Sequence, residues 1–561
     1  MIDPDKITYF AETDSRNKRV AFGIKSKDRL KHVYVIGKTG MGKSTLLENM
    51  AVQDIQSGEG IAFVDPHGKT ADLLLEYVPE HRKQDVVYFA PFDIEHPISF
   101  NVMEDVGPDK RHLVANGLMS AFKKLFGEES FSDRMQYILQ NTILALLEYP
   151  GATMLGINKM LVDKVYRDKV VANVTDSSVK TYWTQEFAGY TERFAAEAIP
   201  AIQNKIGQFT SNPLIRNIIG QSKSSFDIRE IMDEGKILII NLSKGRVGEA
   251  NANLLGSMLI TKIYLAAMSR ADKSEANLQK LPNFYLYVDE FQSFANESFA
   301  DILSEARKYK LNLTIAHQYI EQMSEEVRAA VFGNVGTMIV FRVGAYDAEI
   351  LEKEFSPTFT AEDLVNLGFA QVYLKLMIDG VSSQPFSATT LPPIKKQETS
   401  LMDEIIEYSR KTFARPRAMI EKEISDWQED GRANPKALKA IDFRGKKPEY
   451  REERVEKKEE RQVQKEVIKR EEPTDDFKPL KAISLDSLKQ KSNNQRNPSP
   501  KHVSDLKNIL SSMIKSEPVS NKPHVAPRPN LEKSVELKSE PKKQTNEIPE
   551  TELKALLGVD E

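Results

Sequence analysis

The chain has 561 residues, with 78 lysines and arginines against 82 aspartates and glutamates, and a formal net charge of −4. That length holds about three or four domains. The absence of cysteine excludes a disulfide framework, a thiolate nucleophile and any Cys-ligated metal, and the balanced charge confines any nucleic-acid contact to a local patch.

The chain opens on MIDPDKITYF, where acidic residues stand in place of the basic and apolar segments of a secretory signal. Short apolar runs at 33–36, 61–64, 86–89, 237–242, 284–288, 313–316, 337–341 and 371–376 read as strands between amphipathic helices, the α/β pattern. Strand signals vanish between 101 and 233, where apolar residues recur three and four apart. An all-α insertion is expected there. The most apolar long stretch, 254–268, carries Ser257, Thr261 and Lys262 and falls short of about 20 residues, so no transmembrane segment is expected. The expected organisation is therefore 1–100 and 234–395 as two parts of one sheet domain, 101–233 as the helical insertion, and 396–427 as a helical extension. Residues 428–561, rich in charge, proline and serine, are expected to be largely disordered. Three apolar islands in that tail, 483–488, 503–514 and 553–559, read either as noise or as docking peptides.

The strongest motif follows the strand at 33–36 directly. Gly37, Lys38, Thr39, Gly40, Met41, Gly42, Lys43 and Ser44 spell G-x-x-x-x-G-K-S, and Thr45 begins a helix. The glycines let successive backbone N–H groups turn toward phosphates, and the helix N-terminus adds its positive end. Lys43 would reach the β- and γ-phosphates of ATP, and the Ser44 hydroxyl would sit on Mg2+. A second strand must bring a carboxylate to the metal. The run 284–288 ends in Asp289 and Glu290, which suits Asp289 for Mg2+ and Glu290 for polarising the attacking water.

Two further residues stand downstream. Arg307 falls in a helix expected at 297–309, and Gln318 follows the strand at 313–316. A glutamine beside the γ-phosphate can sense nucleotide state, and an arginine can project into a neighbouring subunit's site. A surface ion pair and a polar strand end describe the same residues equally well.

In order, the P-loop, IAFVDPHGK at 61–69, VVYFAPFDIEHPISFN, KILIINLSKGRVGEANANLLG, YLYVDEFQSF and LSEARKYKLNLTIAHQ resemble the type IV secretion coupling proteins. These are TraG/TraD-like conjugative DNA-transfer ATPases of the HerA/FtsK superfamily, and the resemblance spans about residues 20–395. It implies a RecA-like, mainly parallel sheet with an all-α insertion, assembled as a hexameric ring around DNA. It also implies Lys43, Glu290, Arg307 and Gln318 as the catalytic set. Arg307, eleven residues before Gln318, matches the trans-acting finger of the family. The Asp65-Pro66-His67-Gly68 turn matches a motif that the family places beside the nucleotide, His67 reading either as part of that site or as a turn-stabilising imidazole, and Arg342 is a second candidate for the subunit interface. Lys69 departs from the acidic residue that many members carry after that turn. Coupling proteins typically begin with transmembrane helices. A cytoplasmic protein recruited to the inner face of the membrane by a relaxase or an anchored secretion partner, through the tail, is the reading this implies. HerA-like DNA processing, secretion-channel assembly and a nucleotide-gated adaptor are the alternatives.

Overall fold

In the computed structural model, which describes residues 3–429 apart from 15–17, 297 and 397–398, helices pack on both faces of one large sheet. Its strands are β1 (Ile7–Thr13), β2 (Ala21–Lys25), β3 (Val33–Ile36), β4 (Gly60–Asp65), β5 (Val86–Phe89), β6 (Ile237–Asn241), β7 (Phe284–Val288), β8 (Leu311–His317), β9 (Thr337–Val340) and β10 (Gln371–Lys375). A separate hairpin, β11 (Met377–Ile378) and β12 (Val381–Ser382), precedes the last sheet strand, β13 (Phe386–Thr390). The order across the sheet is β2-β1-β13-β10-β9-β3-β8-β7-β4-β6-β5. From β9 to β5 every neighbouring pair is parallel. From β9 back to β2 every pair is antiparallel.

The parallel strands are unbroken apolar runs because both of their faces are covered. Every residue of β4, β7 and β8 is buried. On β3 the alternation sorts the two layers. Tyr34 and Ile36 join the core that also holds the insertion helices, and Val33 and Val35 join the core beneath the helix Lys43–Gln56.

Between β5 and β6 every regular element among the described residues is helical. The helix Arg111–Phe126 lies against the helix Glu249–Met268, and Gly117 permits the approach: a Cβ there would come 2.5 Å from Thr261 Cγ2. Among the described residues one helical stretch, Glu249–Asp272, is long and apolar enough to cross a membrane, with mean hydropathy 1.2. Since 72% of its most apolar part is buried inside the fold, it reads as a core helix. The extension forms two helices, Met402–Phe413 and Arg417–Glu429, the second packing Ile420 and Ile424 on Leu155.

The antiparallel flank was not expected. β1 shows the alternating exposure of a strand with one wet face, and β13 (FSATT) carries too little apolar signal to stand out. The helix expected at 297–309 is also corrected. The described part runs Ser298–Glu305 and then tightens into a 3-10 turn, Ala306–Tyr309, closed by Lys310 in the left-handed region at φ 58°. The tail expected to be disordered lies outside the described residues from 430 onward.

Candidate functional site

The parallel strands all present their carboxyl ends to one edge, where ligands settle in open α/β sheets. The loop after β3 is pinned on both sides. Gly37 N donates to His317 O at 3.2 Å, and Lys38 N donates to Arg342 O at 2.8 Å. A Cβ on Gly37 would come 2.5 Å from Phe341 Cβ, so only glycine fits. Gly40 and Gly42 take φ values of 78° and 117°, conformations open to glycine. Gly42 caps the helix Lys43–Gln56 without a side-chain partner, which leaves the first helical N–H groups for a ligand.

Within this cradle Lys43 is buried, and its Nζ donates to Gly37 O at 2.6 Å and Lys38 O at 3.2 Å. Burial pulls its pKa down while the charges of Glu290 and Asp289 oppose that. The Ser44 hydroxyl donates to Asp289 Oδ2 at 3.2 Å, and Thr45 stands half-buried one position on. Asp289 is pushed up to about 6 by burial, then by the charges of Glu290 and Asp65. A lysine, a hydroxyl, free helix N–H groups and a carboxyl crowded by other acids fit a triphosphate with a divalent cation. Ser44 and Asp289 would hold the cation.

Glu290 sits in the left-handed region at φ 49° and ψ 48°, a strain of about 1–2 kcal/mol for a non-glycine residue. Its two carboxylate oxygens accept from Gln318 Nε2 and from Gln292 Nε2. His67 Nε2 lies 3.8 Å from Oε1. Burial alone would raise this acid, but the nearby His67 ring, the bonds from Gln318 and Gln292 and the charge of Lys43 hold it down at about 2. Glu290 in turn raises the pKa of His67. Gln318 uses its other end as well, its Oε1 accepting from Thr39 Oγ1 at 2.9 Å.

The turn at 65–68 is built by Asp65. Its Oδ1 accepts from His67 N at 2.7 Å and its Oδ2 from Ala71 N at 2.9 Å, which carries His67 toward Glu290. Lys69 is exposed at the start of the helix Lys69–Leu75. Arg342 is half-buried, and it is its backbone carbonyl that meets the P-loop.

Arg307 is not brought to this edge. It is exposed in the turn before β8, whereas Gln318 follows that strand. Seven strand residues at about 3.3 Å each separate the two by about 20 Å. Sequence reasoning missed Gln292, whose only signal was its place two residues after Glu290. His317 was also passed over: it is buried, within 3.2 Å of Tyr34 OH through Nδ1, and lowered to about 3 by burial.

One solved structure shares this fold, and others align with the chain more loosely. The unbound bacterial conjugative coupling protein TrwBdeltaN70 aligns with 14% identity and a TM-score of 0.50, over 70% of this chain and 95% of its own. The plasmid coupling protein TrwB in complex with ADP and Mg2+ aligns with 14% identity and a TM-score of 0.47, over 68% and 89%. VirB4 of Thermoanaerobacter pseudethanolicus aligns with 13% identity and a TM-score of 0.47, over 70% and 98%. No curated protein matches the sequence. The family model described as the type IV secretion-system coupling protein DNA-binding domain matches residues 20–369, well over half of the chain, and the chain therefore belongs to that family.

Proposed function

We propose that this coupling-family chain is a Mg2+-dependent ATPase that hydrolyses ATP to ADP and phosphate and uses the cycle to move DNA. The observation that carries the reading is the chain of contacts Thr39–Gln318–Glu290, which joins the phosphate loop to the acid placed to accept a proton from water. Lys43 and the loop N–H groups bind the β- and γ-phosphates. Ser44 and Asp289 would hold Mg2+, which would supply positive charge to the phosphates. Glu290 accepts a proton from the attacking water once an amide donor releases it, and Gln318 is placed to register whether the loop is filled.

Arg307, remote from its own site, would complete that of a neighbour, which favours a ring of subunits, a hexamer by family likeness. We place the protein in the cytoplasm, brought to the membrane by a relaxase or an anchored secretion partner that the tail recruits. The test is phosphate release by the full chain with and without DNA. The reading expects turnover that needs Mg2+ and rises when DNA is added, and DNA-independent turnover would support the adaptor alternative.

A further inference from the structure

The acids and Gln318 lie on one flank of the P-loop. In the sheet order, β8 and β7 stand on one side of β3, and β9 and β10 on the other. If the γ-phosphate faces Glu290 and Gln318, the nucleoside end must extend toward β9 and β10. β10 runs antiparallel to β9, pairing Tyr373 with Val340 and Lys375 with Met338. The residues entering β10 therefore arrive at the same edge as the P-loop.

Phe369 is one of them. It is 74% exposed, among the most exposed large apolar side chains described. Its successor Ala370 is held in the left-handed region at φ 60°. Ala370 N donates to Met41 O at 3.2 Å, and Ala370 O accepts from Thr390 N at 2.8 Å and from Thr390 Oγ1 at 3.2 Å. These bonds fasten the turn to the P-loop and to β13 while the ring remains in solvent. Met41 is half-buried against the core under the P-loop helix, and a Cβ at Gly40 would meet nothing within 4 Å, so the loop is open to solvent at Gly40 beside Met41. Tyr346, 73% exposed, is a poorer candidate. The next residue, Asp347, accepts from Ile320 N at 2.9 Å, which ties that helix to the flank of β8.

The geometry points to Phe369 as a shelf for the purine base of the nucleotide bound at the P-loop, beside Met41. This deepens the nucleotide reading above and rests on it. An aromatic face serves any base, so the shelf supports purine nucleotides without choosing among them by hydrogen bonds.

Equilibrium binding of ATP and of inorganic tripolyphosphate to the full chain tests this, because tripolyphosphate has no base. Phe369→Ala should weaken ATP about tenfold and leave tripolyphosphate unchanged, and Phe369→Trp should keep ATP affinity. Lys43→Ala should weaken both ligands. Unchanged ATP affinity in Phe369→Ala, or equal losses for ATP and tripolyphosphate, would overturn the shelf alone. A fall in assembled mass with ATP affinity kept would overturn it in favour of a subunit contact. Wild-type protein that binds neither ligand would overturn the nucleotide reading and the shelf with it.

Discussion

Gln318 donates its side-chain amide to the Glu290 carboxylate across the edge of the sheet, and the Thr39 hydroxyl donates to the same Gln318 side chain. With Gln292 on its second oxygen, Glu290 accepts a hydrogen bond on both carboxylate oxygens. A carboxylate stabilised in that way is a weak base. In the proposed cycle its activation requires Gln318 or Gln292 to let go, and Thr39 gives the phosphate loop a direct hold on Gln318.

Glu290→Gln should therefore keep ATP bound and slow hydrolysis by about 100-fold or more, since the general base is lost while Asp289 and Ser44 remain. Lys43→Ala should reduce turnover at least as much and weaken binding too, because the γ-phosphate loses its cationic partner. Nucleotide filter binding beside single-turnover phosphate release separates the two. Wild-type turnover in Glu290→Gln would remove the acid from the mechanism.

Arg307→Ala subunits should bind ATP normally and hydrolyse it slowly. Mixed with Lys43→Ala subunits they should regain part of the activity, because some interfaces then join an intact P-loop to an intact arginine. Mixed assemblies that form, verified by mass, and stay inactive would count against action between subunits.

How much of this could be read from the chain depended on the kind of signal. β4 and β7 are solid apolar runs because both faces are buried, and the G-x-x-x-x-G-K-S spacing names its own loop. β1 and β13 pair with each other across about two thirds of the chain, Ala11 opposite Thr390, and no local pattern announces such a partnership. The same holds for Gln292. Its role depends on Glu290 adopting a left-handed backbone, a feature of the fold that the order of residues does not display.

A contact invisible in the sequence should dominate stability. Arg29 is buried, bonded to both Asp54 oxygens at 2.8 and 2.9 Å and to Tyr287 OH at 2.7 Å, and it lies 3.7 Å from the centre of the Tyr285 ring. It thereby locks the P-loop helix to β7. Arg29→Met should cost about 3–5 kcal/mol in chemical unfolding, because it strands the Asp54 charge. Adding Asp54→Leu should restore much of that loss. A cost under about 1 kcal/mol would refute the strut.

His32 makes stability depend on pH. Burial is the main cause that lowers it to about 4; its Nε2 faces Leu303 O at 3.2 Å and its Nδ1 accepts from Leu313 N at 3.1 Å. The unfolded chain takes up this proton near 6.5 and the folded one only near 4. The stability is therefore complete above 6.5 and is lost as the pH falls through that window. Between pH 7 and 5 the loss from this group is about 2 kcal/mol. His32→Gln should flatten the slope of unfolding free energy against pH over that interval, and an unchanged slope would assign it to other groups.

If the proposed cycle at the P-loop edge drives DNA movement, the chain should displace streptavidin from end-biotinylated DNA. Displacement should require ATP in the wild-type chain and be absent in Lys43→Ala and Glu290→Gln. Hydrolysis at full rate with streptavidin left in place, on single- and double-stranded DNA alike, would contradict it.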